Sequence, residues 1–130
     1  MTYVMSDIHG EYDKYKQMLE LINFSNKDEL YIPGDIVDRG AEPIKLLQDM
    51  MVRPNVFPIM GNHDFHALYV LSPLLNYVNA DNIEKVLTKE MFAELYEWIF
   101  EGGSSTFEQF VALDNEQRAA VLDYISDFPL

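Results

Sequence analysis

The 130-residue sequence contains no cysteine, which excludes disulfide bonds, thiolate metal sites and a cysteine nucleophile. Basic residues are also scarce, because 9 Lys and Arg stand against 22 Asp and Glu and give a formal net charge of −13 at pH 7. Phosphate backbones and anionic lipid surfaces repel a chain with that charge. The composition therefore argues against a nucleic-acid polymer or a membrane as a partner.

Long apolar runs are missing as well, and none approaches the length that spans a bilayer. No basic segment precedes an apolar stretch at the start of the chain, so we expect no signal peptide. Together with the lack of cysteine, this predicts a cytoplasmic location. Apolar residues make up 48% of the chain and charged residues 24%, which is typical of a globular protein. The length favours a single domain over residues 1–130.

Residues 1–71 alternate short apolar runs with helical patterns. The runs at 3–5, 30–32 and 56–59 are predicted to be short buried strands. Apolar positions close to the 3.6-residue period predict a helix over 11–23. Pro43 suits the first turn of a second helix that ends near Met51. This alternation predicts an α/β fold with a parallel β-α-β-α-β core.

Residues 72–130 are predicted to form a helical segment. A helix from 89 to 100 would bury a stripe formed by Phe92, Leu95, Tyr96 and Ile99. Ser105 and Glu108 match the spacing of a capping box. Asp114 is expected to cap a last helix over 115–126.

Three polar clusters follow the three predicted strands. They are Asp7-Ile8-His9-Gly10, Gly34-Asp35-Ile36-Val37-Asp38-Arg39-Gly40 and Gly61-Asn62-His63-Asp64. Because ligands bind at the carboxyl edge of open α/β sheets, the clusters are expected to converge there. Side chains two positions apart on an extended segment point the same way, so Asp7 and His9 could hold one metal ion. Each cluster alone also fits a simple turn, since Gly-Asp and Gly-Asn pairs are common in turns.

These clusters resemble the signature blocks of the calcineurin-like metallophosphoesterases. Within that family, the sequence is most similar to the phosphoprotein phosphatase branch. That branch includes bacterial serine/threonine phosphatases and symmetrical diadenosine tetraphosphatases. Residues 98–106, Trp-Ile-Phe-Glu-Gly-Gly-Ser-Ser-Thr, also resemble a Trp…Gly-Gly…Thr block of bacterial members. The resemblance covers essentially the whole chain and implies the same α/β core.

The resemblance implies a site for two divalent metal ions. By matching motif positions, Asp7 and His9 would bind the first ion, Asp35 would bridge both ions, and Asn62 would bind the second. Such oxygen and nitrogen donors suit Mn²⁺, Fe or Zn²⁺ and do not favour copper, and Mn²⁺ is the leading candidate. A carboxylate is the appropriate bridging ligand because it offsets the charge of two dications better than a neutral side chain.

The resemblance also assigns the catalytic groups. His63 would be the general acid near the leaving oxygen, and Asp38 would hold its ring. Arg39 would clasp the substrate phosphate, with Asn62 and His63 also in contact with it. Histidine titrates near neutral pH, and the arginine fork matches two phosphate oxygens. The implied reaction is direct hydrolysis of a phosphoester by metal-bound hydroxide, without a phospho-enzyme.

The sequence departs from the family in its histidines. By resemblance, the C-terminal half of the family supplies further strands and metal-binding histidines, whereas this chain has 3 His and none after His66. We therefore interpret the chain as the N-terminal part of the family fold, with an incomplete metal site. His66 lies four positions after Asn62 and is expected to be a rim or packing residue. Sheet edges left without cover predict self-association.

Three functions follow from these features. The leading hypothesis is a metal-dependent phosphoester hydrolase of the serine/threonine protein phosphatase type. The first alternative is a diadenosine tetraphosphate hydrolase, because the run from Gly61 to His66 resembles that branch. The second alternative is an inactive, truncated module that binds metal or phosphate. The expected partner is thus a phosphoester, either a phosphoprotein or a dinucleoside polyphosphate.

Overall fold

A computed structural model describes residues 1–76 and 82–130. Strands β1 (Thr2–Val4), β2 (Glu29–Pro33) and β3 (Val56–Ile59) form a parallel sheet in the order β1-β2-β3. Helix α1 (Tyr12–Leu21) connects the first two strands, and α2 (Pro43–Met51) connects the second and third. The predicted α/β class and its β-α-β-α-β core are confirmed.

One face of the sheet is covered and the other is exposed. Two right-handed crossovers that step in the same direction place both helices on the same side of a sheet. On the covered side, Leu30 and Ile32 are fully buried. On the other side, the in-register row Val4, Tyr31 and Phe57 is 70%, 37% and 37% exposed. The expectation of buried strands is therefore wrong for this face, because the two crossover helices lie on the other side of the sheet.

The second half of the chain is mostly helical, as expected. Its elements are α3 (Asn62–Leu71), a 3₁₀ turn (Ser72–Leu74), α4 (Ile83–Val86), α5 (Lys89–Trp98), a π turn (Ile99–Gly103), α6 (Ser104–Val111) and α7 (Asn115–Ser126). The predicted helical segment over 72–130 includes residues 77–81, which lie outside the described residues. Across the described ranges, every helix is too short or too polar to cross a bilayer.

Two local predictions in this half were wrong. Helix α6 begins at Ser104, directly after the π turn, so Ser105 lies inside the helix and forms no capping box. In α5, the expected burial is wrong for Phe92 and Tyr96, which are 47% and 70% exposed, because the buried face of the helix carries Leu95 and Trp98. The expected cap of α7 is confirmed by a 2.8 Å hydrogen bond from the Gln117 amide to the Asp114 carboxylate.

A buried arginine joins the helices behind the sheet. Arg118 of α7 is 5% exposed, and its guanidinium donates to the carbonyls of Phe110, Val111 and Leu75. Phe110 and Val111 end α6, where helical carbonyls lack partners within the helix, so a cationic donor is favourable. Arg118 thereby ties α7 to α6 and to the segment after α3, and α6 in turn packs on α2.

Candidate metal centre

Three loops meet at the carboxyl edge of the sheet. The first and second loops are joined by hydrogen bonds from the His9 amide to the Asp35 carbonyl (3.1 Å) and from the Gly10 amide to the Ile36 carbonyl (2.8 Å). The second and third loops are joined by the His63 amide, which donates to the Asp35 carboxylate at 3.1 Å. These hydrogen bonds fix the positions of the three loops relative to one another.

Two glycines allow the loops to approach this closely. A Cβ atom at Gly40 would lie 2.0 Å from the carbonyl oxygen of His9, and one at Gly61 would lie 2.2 Å from the amide nitrogen of Asp35. Both contacts are with backbone atoms, which cannot move aside as a flexible side chain would. Glycine at these two positions is therefore a condition for bringing the three loops together.

Asp7, His9 and Asp35 offer ligand atoms that all lie within 4.8 Å of one another. His9 Nδ1 lies 3.1 Å from the carbonyl oxygen of Val37. A carbonyl only accepts, so Nδ1 carries the proton and Nε2 keeps the free electron pair that a metal ion requires. Two carboxylates and one neutral imidazole form a donor set that suits a divalent cation of the Mn²⁺, Fe or Zn²⁺ type. The residues therefore fit a metal ion.

A buried histidine–aspartate pair adjoins this cluster. His63 Nδ1 lies 2.9 Å from the Asp38 carboxylate, and Asp38 is fully buried. The imidazole of His63 meets that of His9 edge to face, with ring centroids 5.0 Å apart. The Asp38 carboxylate also accepts hydrogen bonds from the Trp98 indole at 2.7 Å and from the Thr106 hydroxyl at 2.8 Å.

The remaining expected site residues lie on the same loops. Asn62 is the first residue of α3, next to His63, and its side chain is exposed. Arg39 follows Asp38 and is exposed, while its amide donates to the Gly102 carbonyl at 2.8 Å. His66 faces Glu94 of α5 at 3.4 Å and Glu101 of the π turn at 3.9 Å. Its described ionic contacts thus fit the expected packing role.

Asp64 holds the second and third loops together, a role that the sequence analysis missed. One carboxylate oxygen accepts from the amides of Ile36 and Val37 at 2.9 and 3.1 Å, and the other accepts from the Gly61 amide at 3.1 Å. Burial raises the pKa of the Asp64 carboxyl, although the three amide donors act in the opposite direction. The available signal was its position three residues after the N-cap Gly61, where a carboxylate can accept from the N-cap amide.

The loops are conformationally unusual at the site residues themselves. Asp7, His9, Asp35, Asp38 and Arg39 have φ angles of 52°, 43°, 51°, 72° and 72°. Residues other than glycine seldom adopt this left-handed region, and such conformations persist only where the surrounding structure imposes them. Backbone strain of this kind concentrates at functional sites.

Comparisons with known proteins show which family the sequence resembles. The sequence model of the calcineurin-like phosphoesterases matches residues 2–127. The symmetrical bis(5′-nucleosyl)-tetraphosphatase of Wigglesworthia glossinidia brevipalpis is 31% identical over 99 residues, which are 75% of this chain and 36% of the relative. That of Actinobacillus pleuropneumoniae serotype 3 is 33% identical over 100 residues, or 75% of this chain and 37% of the relative.

Similarity to a solved structure supports the fold. The metallophosphoesterase from Sphaerobacter thermophilus superposes with a TM-score of 0.55 at 20% identity, over 98% of this chain and 41% of that protein. The chain therefore spans about two-fifths of that structure and 36 to 37% of the two curated relatives.

Proposed function

The chain belongs to the calcineurin-like phosphoesterase family, and we propose that its metal centre hydrolyses phosphoester bonds. The observation that carries the proposal is the convergence of Asp7, His9 and Asp35 beside the buried pair of Asp38 and His63. A cation-binding cluster next to an oriented imidazole provides both the charge compensation and the proton that such a reaction needs.

The metal ligands in this proposal are Asp7, His9, Asp35 and Asn62. Asp35 is the bridging candidate because it lies between the first and third loops, with its carbonyl bonded to His9 and its carboxylate bonded to the His63 amide. Two divalent ions bound there, with Mn²⁺ as the leading candidate, would supply Lewis acidity that offsets the phosphate charge. These four side chains would provide only part of the ligand shell of two ions.

His63 is the proposed general acid. Because an ionised Asp38 can only accept, His63 Nδ1 carries a proton, and Nε2 is left to exchange a proton with the leaving oxygen. Arg39 is the proposed phosphate clamp, since it is exposed, follows Asp38 in sequence and has a guanidinium that can donate to two oxygens at once. Asn62 and His63 complete the phosphate contacts in the proposal.

The names of the curated relatives favour a dinucleoside polyphosphate as the substrate. A phosphoprotein, the leading substrate expected from the sequence, is not favoured by the name of either curated relative. Symmetrical hydrolysis of diadenosine tetraphosphate would break its central phosphoanhydride bond with one water molecule and give two molecules of ADP. Chromatography of the products, run beside phosphate release from a phosphoserine peptide, separates the two substrate classes.

The test of the activity is turnover of diadenosine tetraphosphate in the presence of Mn²⁺. Asp35→Asn should abolish turnover because it removes the negative charge of the proposed bridging ligand. His66→Asn is the matched control, since His66 lies on α3 but pairs with Glu94 on the surface. Equal rates for wild type and Asp35→Asn would refute the proposed hydrolysis. Mn²⁺ binding by calorimetry without turnover would instead support the alternative of an inactive metal-binding module.

Self-association is also part of the proposal. The exposed row of Val4, Tyr31 and Phe57 forms an apolar strip on the uncovered sheet face, with the Tyr31 and Phe57 rings 5.1 Å apart. Strips of this kind associate in water unless charge prevents it. Sedimentation at increasing protein concentration should reveal a larger species that Tyr31→Lys reduces, and a concentration-independent monomer would refute this point.

A further inference from the structure

We infer that Trp98 and Thr106 are positioning residues for the general acid. They hold the Asp38 carboxylate, and through it they hold the tautomer and orientation of His63. The inference rests on the proposed function, in which His63 protonates the leaving oxygen. Trp98 and Thr106 are both fully buried, so they act on the reaction only through Asp38.

Both oxygens of Asp38 are occupied by donors from the helical half of the chain. One oxygen accepts from the Trp98 indole at 2.7 Å and faces His63 Nδ1 at 2.9 Å. The other accepts from the Thr106 hydroxyl at 2.8 Å. The carboxylate therefore cannot rotate without losing a charge-assisted hydrogen bond, which is about twice as strong as a neutral one.

Thr106 also fixes the backbone of Asp38. The hydroxyl that donates to the carboxylate accepts from the Asp38 amide at 3.1 Å, so Asp38 and Thr106 are joined by two hydrogen bonds. The backbone of Asp38 has a φ of 72°, a conformation that requires such external support. The backbone of the next residue, Arg39, is also held from outside the loop, because its amide donates a hydrogen bond to the Gly102 carbonyl.

The segment from Trp98 to Thr106 is therefore built around the second loop of the site. Its π turn brings the indole and the hydroxyl to the two sides of one carboxylate, across separations of 60 and 68 positions in sequence. Apolar side chains of the same shape would fill the same space but would leave the buried carboxylate without these two donors. A role in positioning requires the indole N–H and the hydroxyl themselves.

The primary test uses ¹⁵N NMR of His63 in the metal-free 130-residue protein. Thr106→Val replaces the hydroxyl with a methyl group, Thr106→Ser keeps the hydroxyl, and Trp98→Phe removes the indole N–H. A slowly exchanging proton on His63 Nδ1 should be observed in wild type and in Thr106→Ser. It should be lost to solvent exchange in Thr106→Val and in Trp98→Phe. If either variant fails to fold, the other carries the same comparison. An unchanged Nδ1 proton in a folded Thr106→Val or Trp98→Phe variant would overturn the inference.

A second readout separates this inference from the proposed function. General acid catalysis matters for an alkyl phosphate, which has a poor leaving group, and matters little for p-nitrophenyl phosphate. Thr106→Val should lower the rate on the alkyl ester about tenfold more than the rate on the nitrophenyl ester, with Thr106→Ser close to wild type. If His63→Asn lowers the rates on the alkyl ester and the nitrophenyl ester equally, the proposed role of His63 is wrong. If His63→Asn shows a larger loss of rate on the alkyl ester and Thr106→Val does not, the inference about Thr106 is wrong.

Discussion

Replacing Gly40 by alanine should separate the first two loops of the site. The added Cβ would lie 2.0 Å from the carbonyl oxygen of His9, 2.6 Å from the carbonyl carbon of Gly10 and 2.9 Å from the amide nitrogen of Glu11. Ordinary van der Waals contact begins near 3.4 Å, so the nearest pair must move apart by about 1.4 Å. All three neighbours are backbone atoms, and no change of side-chain rotamer relieves the clash.

The size of the effect follows from what this movement breaks. Inserting a methyl group into a close-packed region costs about 1–3 kcal/mol. The movement also stretches the hydrogen bonds from the His9 amide to Asp35 and from the Gly10 amide to Ile36, each with a net value of about 1 kcal/mol. We therefore expect the free energy of unfolding to fall by about 3–5 kcal/mol. Because His9 moves away from Asp35, affinity for Mn²⁺ should fall about tenfold or more.

The assay is urea unfolding followed by the fluorescence of Trp98, the only tryptophan in the chain, together with calorimetric titration of Mn²⁺. Ala41→Ser is the matched control, since it adds one heavy atom at the neighbouring exposed position. If Gly40→Ala unfolds within about 0.5 kcal/mol of wild type and binds Mn²⁺ equally well, the argument from loop contact is wrong.

Three further predictions concern the cations, the loop contacts and the pH dependence. Millimolar Mn²⁺ should raise the melting temperature because it relieves repulsion within the carboxylate cluster. Asp35→Asn should abolish this rise. A wild-type melting temperature that does not change with Mn²⁺ would contradict the prediction. Asp64→Asn should destabilise the protein by about 1–3 kcal/mol in urea melts, since the Gly61 amide then faces a donor; unchanged stability would count against the role of Asp64. Burial alone would raise the pKa of Asp49, but the 2.8 Å hydrogen bond from Arg53 helps to bring it below its ordinary value. The stabilisation from this pair is therefore present above the ordinary pKa of Asp49 and is lost as the pH falls through its lower value in the folded protein. The stability difference between wild type and Asp49→Asn should accordingly shrink from pH 7 to pH 3, and a constant difference would show that the charge is irrelevant.

The parts of the fold that depend on local patterns could be predicted from the sequence. The three strands and the helices between them follow from short apolar runs and from the 3.6-residue period, which are properties of neighbouring residues. The convergence of Asp7, His9 and Asp35 follows from their common position after successive parallel strands. The roles of Asn62 and Arg39 stay predictions, because their proposed ligands are a cation and a phosphate.

The parts that depend on distant contacts could not be predicted. In α5, the pattern contains more apolar positions than one helix face can bury, and packing against α3 selected Leu95 over Phe92 and Tyr96. The exposed face of the sheet depends on which side both crossover helices occupy, which is a property of topology. The contacts of Trp98 and Thr106 with Asp38 join residues 60 and 68 positions apart in sequence, and no local pattern specifies them.

The left-handed backbone of five site residues bears on how variants of this protein should be chosen. Each such conformation costs a residue with a Cβ about 1–2 kcal/mol relative to glycine. A screen that ranks variants by heat resistance alone will therefore reward glycine at Asp7 or Arg39, and every such gain removes a proposed ligand or phosphate contact. Directed evolution of this chain therefore needs an activity assay in every round, because the most stable variants will be those that have lost residues of the proposed site.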